Sequence, residues 1–345
     1  MSSGIVQLVC IGAQDEHIVG DPEISFFNST FKRHSNFSQS IEKQTIHGHV
    51  KNNSLSTIRI ERSGDLLGYT YLTIDNGAQA MDSSNWGSLI ESVQLVIGGQ
   101  VIDEQDSTFC ENIAVDMLAQ NVTKSSNGPH PGGSTSSSFF YPLRFFFCEG
   151  AQSAIPLVAL QYHDVELRIR WGSNAGSYNW ECYSNYYYLD NEERGNIASR
   201  THDMLIYQVQ KNIGSNDHIQ NLNFNHPVKF IASANNSGSS PLASETNRIK
   251  LSVNGVDLSN YRWARPNFMD VSHYYHTNYV TSPDVFMHSF CLTTSLHQPT
   301  GSLNFSRIEN AKIHSESELL NDTIYAVNYN ILRLENGMAG LVYAN

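Results

Sequence analysis

The sequence predicts an all-β chain made of two consecutive antiparallel β-sandwiches, with short helices in the connections. Three observations carry that prediction. The segment Val165–Trp171 alternates strictly, with Val165, Leu167, Ile169 and Trp171 on one side and Glu166, Arg168 and Arg170 on the other. Successive side chains of a strand point to opposite faces, so this spacing buries an apolar row and solvates a charged one. Each half of the chain then carries a tight-hairpin signal: Gly98/Gly99 between Val93–Ile97 and Val101–Ile102, and Asn254/Gly255 between Leu251, Val253 and Val256, Leu258. Finally, 345 residues exceed the ~250 to 300 that one hydrophobic core usually serves. Two domains follow, 1–195 and 196–345, divided near Gly195.

Composition narrows the function. Charged residues make up 16% of the chain, below the ~25% of an average soluble protein, which suits a β protein with long polar loops. The formal net charge of −12 argues against direct nucleic-acid binding, because phosphate contacts need clustered Lys and Arg. Cys10, Cys110, Cys148, Cys182 and Cys291 are scattered, odd in number and without metal-ligand spacing, so reduced thiols in an intracellular setting are expected. The apolar stretch Ile5–Ile11 contains Gln7 and follows no basic residue. It reads as neither a signal peptide nor a membrane span, which points to synthesis and folding in the cytosol.

In chain order, Gly20, Asp21 and Pro22 mark a turn, Ile24–Phe27 is a short apolar segment, and Lys32, Arg33 and His34 form a small basic cluster of the kind found in solvated loops. Ile41–Ile46, Leu55–Ile60 and Tyr69–Ile74 read as strands, with Gly64, Asp65 and Gly68 at turns. Thr108 and Glu111 have capping-box spacing ahead of Phe109, Ile113 and Met117, predicting a core-packed helix from about Phe109 to Ala119. Ser125–Ser138 and Gly172–Asn185 read as long loops, the first outward-facing, the second packing its tyrosines and Trp180 locally or at a subunit contact. Tyr186–Leu189 would end the first sandwich, and Asp190–Arg194 would start a helical linker. Beyond it, Met204–Gln210, His226–Ala232, Val285–Leu292, Leu303–Ile308 and Tyr325–Leu334 read as strands.

No constellation for catalysis stands out. His47 and His49, and His273 and His276, invite a metal reading, but no matching carboxylate spacing lies near either pair. There is no GxSxG, and Cys148 and Cys291 sit in apolar runs. Adjacent Glu192 and Glu193 do not face each other on a helix. Asn28, Asn36, Asn52, Asn121, Asn235, Asn304 and Asn321 are Asn-x-Ser/Thr sites in a chain rich in those residues. The expectation is a protein that is not an enzyme, with no catalytic, cofactor-binding or metal residues.

One resemblance spans nearly the whole chain. QLVCIGAQD (Gln7–Asp15), GDPEISFFNSTFKRHSNFS (Gly20–Ser38), RSGDLLGYTYL (Arg62–Leu72), LVIGGQVIDEQ (Leu95–Gln105) and PLRFFFCEGAQSAIPLVALQYHDVELRI (Pro142–Ile169) resemble blocks of the major capsid proteins of nucleocytoplasmic large DNA viruses. In the second half YLDNEERGNIASRTHDMLIYQVQ (Tyr188–Gln210), FNHPVKF (Phe224–Phe230), HQPTGSLNFSRIEN (His297–Asn310) and VNYNILRLENGMAGLVYAN (Val327–Asn345) continue it in order. The resemblance implies a double jelly roll, assembling as a homotrimeric capsomer of pseudo-hexagonal outline that tiles an icosahedral shell. It implies as partners neighbouring trimers, minor capsid and penton proteins, and an internal membrane beneath the shell, with the virion as location. In that picture Met1–Phe37, with Phe26, Phe27, Phe31 and Phe37 as apolar anchors, lies on the inner face. The alternative is a carbohydrate-binding, lectin-like jelly roll displaying Trp180 and Tyr186–Tyr188 on loops.

Overall fold

The computed structural model describes residues 3–74, 86–126, 140–234, 240–278 and 285–344. The chain divides into two compact units, Met1–Asn36 and Phe37–Asn345. The first holds two short helices, Ser3–Val9 and Glu16–Val19, neither with a buried residue. Among the described residues no helix is long and apolar enough to cross a membrane.

The second unit contains all the described strands. Its first part supplies β1 (Phe37–Gln44), β2 (Ile46–His47), β3 (Leu55–Arg59), β4 (Leu66–Ile74), β5 (Ile90–Ile97), β6 (Gln100–Asp106), β7 (Phe140–Pro142), β8 (Ile155–Pro156), β9 (Val165–Trp171) and β10 (Trp180–Leu189). These form two antiparallel sheets, β1-β10-β4-β7 with β8 beside β4, and β2-β3-β9-β5-β6. The rest supplies β11 (His202–Asn212), β12 (Ile219–Asn221), β13 (Pro227–Ser233), β14 (Arg248–Val253), β15 (Val256–Asp257), β16 (Arg262–Trp263), β17 (Phe286–Ser289), β18 (Leu303–Asn304), β19 (Ala311–Ser315), β20 (Ile324–Glu335) and β21 (Met338–Leu341). They repeat the pattern as β11-β20-β13-β17 and β12-β19-β14-β15. In both sets the first strand pairs with the last long one, as in a jelly roll. We call the sets lobe 1 (β1–β10) and lobe 2 (β11–β21).

The alternation read in β9 is realised in full. Val165, Leu167, Ile169 and Trp171 are buried, while Glu166 and Arg168 are half-buried and Arg170 is exposed. Trp171 is the largest fully buried side chain; it lies against Trp180 at 4.8 Å between ring centroids and donates its indole N–H to Ser56 Oγ at 2.8 Å. Both predicted hairpins are present, with φ of 58° and 84° at Gly98 and Gly99, and 49° and 79° at Asn254 and Gly255. Positive φ at both central residues matches the twist of the flanking strands, and Gly and Asn adopt it most cheaply.

Several expectations change. Gly68 lies inside β4 rather than at a turn, because a Cβ there would meet Tyr187 at 2.8 Å beside an irregularity in the β10 register. The second half of the expected Gly172–Asn185 loop is strand: Trp180, Cys182 and Ser184 point inward while Glu181 and Tyr183 do not, an alternation disguised by polar residues on the inner face. The expected helix begins earlier than Thr108. Asp106 Oδ1 accepts the Phe109 N–H at 2.9 Å, so Asp106 caps it, and Phe109–Ala114 is wound as a π-helix before Val115–Met117 returns to α. Phe109, Ile113 and Met117 are buried as predicted. Of the expected strand Leu303–Ile308 only Leu303–Asn304 pairs as strand, and Phe305–Arg307 turns into a 3₁₀ helix. Residues 127–138 of the expected outward loop, and Asn235, lie outside the described residues.

Strand direction sorts the connections. The chain enters at Phe37, opposite Leu189, at the end that also carries the Gly98/Gly99 turn. Ile74, Trp171 and Trp180 lie together at the opposite end of lobe 1. The helix Asn191–Ser199 joins β10 to β11 at the entry end, its Arg194 paired with Asp65 at 2.8 Å. Replacing Trp171 with Ala should cost about 3–5 kcal/mol in urea unfolding, while Arg168→Ala on the outer row should stay within roughly 0.5 kcal/mol.

Candidate assembly surfaces

The two lobes meet through a seam that is both apolar and polar. Ile206, Tyr207, Phe230, Tyr325, Val327 and Leu332 of lobe 2 belong to the same buried cluster as the lobe 1 interior, whereas Leu222, Val228, Ile231, Ile249, Ile313 and Ile324 form lobe 2's own core. The switch between the two cores is built into β13. A bulge between Val228 and Phe230 turns Val228 and Ile231 inward while Phe230 and Ala232 face lobe 1. Across the seam Asp103, buried on β6, accepts the Val209 N–H at 2.8 Å through Oδ1 and Gln105 Nε2 at 2.8 Å through Oδ2. Tyr207 donates to the Arg144 carbonyl at 3.2 Å, Gln208 donates to the Ile102 carbonyl, and the Tyr325 hydroxyl reaches both oxygens of Asp106. Arg144 and Glu149, 5% and 6% exposed, form an ion pair at 3.2 Å that Lys124 joins.

Burial shapes the titration of these groups. It pushes the Asp103 carboxyl up to about 7, against the opposing pull of the hydrogen bonds from Val209 and Gln105. Glu111, buried in the π-helix with Oε1 unpartnered, is pushed up to about 8 by the same cause. Burial also pulls Lys229 down to about 8; it donates to the Leu296 carbonyl at 2.7 Å and lies over the Tyr329 ring. The thiols of Cys110, Cys148 and Cys182 are pushed up to about 12, which keeps them protonated and unreactive.

Two other surfaces are apolar and open. The outer face of β1-β10-β4-β7 carries an aromatic group in which Tyr71 lies 6.3 Å from Tyr69, 5.6 Å from Tyr183 and 5.3 Å from Phe140. Beside it opens a cavity of about 550 Å³ lined by Tyr69, Tyr71, Phe140, Phe147, Tyr187 and Lys124. In lobe 2, Val256, Leu258, Trp263, Tyr274, Tyr275 and Leu292 are exposed. The described residues of the first unit are exposed throughout and include large apolar side chains: Leu8, Ile18, Ile24, Phe26, Phe27 and Phe31 are each more than two-thirds open, with Phe27 at 100%. Such contiguous exposed apolar residues mark interaction surfaces.

The residues considered for chemistry do not converge. His47 ends β2 and His49 lies beyond it, so they do not share a strand face; both are exposed. His273 is buried in the helix Asp270–His276, and burial lowers its pKa, while His276 hydrogen-bonds the Leu292 carbonyl at 3.0 Å. Among the described residues no group of three or more His, Cys, Asp or Glu is placed to hold a metal. Glu193 is half-buried and Glu192 exposed on the linker helix, and Lys32, Arg33 and His34 are exposed. Trp180 and Tyr186, which a lectin would display, are 8% and 0% exposed. The seam's polar residues were missed in the sequence, since Asp103, Gln105 and Gln208 look like outward positions of ordinary strands.

Comparison with known proteins follows the same two-part layout. A family model described as major capsid protein N-terminus matches residues 25–179, and one described as large eukaryotic DNA virus major capsid protein matches residues 193–340. The major capsid protein of Pyramimonas orientalis virus is 33% identical, with 100% of both chains covered. The chain belongs to the major capsid protein family of large eukaryotic DNA viruses. The family member from Paramecium bursaria Chlorella virus 1 is 29% identical over 100% of both chains. A quasi-atomic model of the PBCV-1 virus capsid superposes with a TM-score of 0.77 at 25% identity, covering 93% of this chain and 100% of that one. The Faustovirus major capsid protein, at 13% identity and a TM-score of 0.64, shares the fold. As a major capsid protein the chain is a structural component of the virion, not an enzyme.

The seam gives a pH prediction with a definite sign. A carboxyl whose folded pKa is raised favours the native state most below its unfolded pKa, and that contribution is lost as pH rises through the folded value. Asp103 and Glu111 therefore make stability fall between about pH 4 and the region of 7 to 8. Glu111→Gln should melt at a higher temperature than the parent at pH 8 and lose this advantage toward pH 5, read by circular dichroism.

Proposed function

We propose that three copies of this chain form a pseudo-hexagonal capsomer, and that such trimers tile an icosahedral shell around a large DNA genome. The observation that carries this reading is the repeated lobe: two sandwiches of the same sheet order, locked side by side through a buried seam. A subunit with two near-equivalent lobes lets a threefold trimer present near-sixfold edges, and hexagonal packing of one protein follows. We place the lobe boundary at the helix Asn191–Ser199, giving 1–195 and 196–345. The segment Met1–Phe37, with Phe26, Phe27, Phe31 and Phe37 exposed, ties neighbouring capsomers or minor capsid and penton proteins together at the inner face, above an internal membrane. The end of the lobes opposite Phe37 then faces outward. Synthesis takes place in the host cytoplasm. Many weak contacts, repeated around the shell, make a stable assembly from modest individual affinities.

Light scattering on a sizing column, with negative-stain images of the same peak, tests the capsomer directly: a trimer of hexagonal outline is expected. A deletion of residues 1–36 should leave the trimer and its melting temperature intact but sharply reduce shell formation. Normal shells from the truncated protein would remove the inner-face role.

A further inference from the structure

The sheet β1-β10-β4-β7 is incomplete along one edge, and the gap has a chemistry of its own. β7 pairs with β4 only through Tyr71–Thr73, and β8 only through Leu66 and Leu67. Between these contacts the chain leaves the sheet. The Leu143 N–H still reaches the Thr70 carbonyl at 3.1 Å, but Phe146–Cys148 and Ala151–Ser153 turn as 3₁₀ helices before Ile155 returns. A cavity of about 550 Å³ lies between this arc, β4 and β10, and the short helix Val122–Ser126. Its walls are of two kinds. Tyr69, Tyr71, Phe140, Phe147 and Tyr187 give an aromatic surface, whereas Arg144, Glu149 and Lys124 give a charged one. The charged groups are fixed in place: Arg144 pairs with Glu149 at 3.2 Å and donates to the Ala114 carbonyl at 2.7 Å, while Lys124 donates to the Glu149 carbonyl at 2.6 Å and to its carboxylate at 3.2 Å. Two cations share one carboxylate, so this wall carries one uncompensated positive charge. An ammonium has three N–H donors, and Glu149 takes two of those on Lys124. The third is open at the half-buried Lys124 head.

We propose that this cavity binds a small single-chain amphiphile with an anionic head, its chain lying against the aromatic wall and its head, a carboxylate, accepting from Lys124. Three features support the assignment. Small-molecule sites take the form of pockets of ~300–1,000 Å³ that are mainly apolar and carry a few fixed polar groups, and this cavity has that size and that division. The charge selects the head: an anion compensates the excess positive charge beside Glu149, a neutral head leaves it unmatched, and a cationic head adds to it. The aromatic wall selects the body, because a wholly polar ligand would leave the faces of Tyr71, Phe140 and Tyr187 without an apolar partner. Occupancy would stabilise the folded chain by mass action, as any ligand of the native state does, and would cover aromatic surface on Tyr69 and Phe140, each more than a third exposed. The site is formed by one chain and does not rest on the trimer.

Calorimetric titration of the full chain with laurate, dodecanol and dodecyltrimethylammonium, each below its micelle concentration, compares three heads on one alkyl chain. Laurate should bind once per chain, at least about 10-fold tighter than dodecanol, with the ammonium weaker than both, and it should raise the melting temperature. Lys124→Met should remove the preference for laurate over dodecanol, and Lys124→Arg should keep it. Ala151→Trp, at an exposed position of the wall, should fill the space and abolish binding of all three probes. Lys124→Met also takes a partner from Glu149; should it fold poorly, the comparison of heads on the parent and on Ala151→Trp decides alone. Laurate that does not bind, that binds no tighter than dodecanol, or that binds Ala151→Trp as well as the parent would overturn the assignment. So would laurate binding confined to dissociated chains, followed by light scattering on the same samples, because a second copy would then be the occupant of the cavity.

Discussion

The strand β20 is buried on both of its faces, and the architecture of the second unit depends on that. Every residue from Ile324 to Asn330 is buried: Ile324 and Ala326 point into the lobe 2 core, while Tyr325 and Val327 on the other face point into the cluster shared with lobe 1. A strand of a free-standing antiparallel sandwich would solvate every second residue. Here the sheet is the wall between two cores, and neither side of it can be exposed without returning several large side chains to water, each worth roughly 1.5–3 kcal/mol. The lobes therefore behave as one compact unit, Phe37–Asn345, although each has its own sandwich.

The polar groups at the seam give this junction its register. Apolar surfaces slide at little cost, but a carboxylate accepting a backbone N–H, as Asp103 does from Val209, has one position in which it is satisfied. The same holds for Tyr325 on Asp106 and for Gln208 between the Ile102 carbonyl and Asn330. Burying carboxyls has a cost, visible in the upward pKa of Asp103 and Glu111, and the protein tolerates it where position matters. A subunit that must repeat one lobe-to-lobe geometry many times over a shell has a use for such positional control.

The legibility of these features in the sequence follows from how local their causes are. The alternation of β9 and the Gly98/Gly99 and Asn254/Gly255 turns depend on neighbouring residues alone, and they were readable. The strand β10 was half concealed because its inner face carries Cys182 and Ser184, small residues that sequence patterns score as loop, where Thr70 opposes and hydrogen-bonds Ser184 at 3.0 Å. The π-helical winding of Phe109–Ala114 and the bulge at Lys229 answer to packing between lobes, which no local window contains. The buried histidine and lysine positions are equally tertiary: His273 and Lys229 are polar residues whose surroundings come from distant segments.

Function in this protein is carried by surfaces rather than by a pocket of reactive groups, and the distribution of exposure expresses that. Arg333 is paired with Asp203 at 2.7 Å on the surface, whereas Asp103 and Asp106 are held by hydrogen bonds in the seam. Burial holds the thiols of Cys110, Cys148 and Cys182 protonated. Large apolar side chains stay open on the first unit, on the aromatic face of lobe 1 and at the edge of lobe 2. Apolar area left exposed on a folded chain raises its tendency to associate, and unless association closes on itself it ends in unlimited aggregation. The junction within the chain shows how such area is closed off, since Tyr207, Phe230, Tyr325 and Val327 of lobe 2 are buried against lobe 1 while Asp103 and Asp106 fix their position through hydrogen bonds.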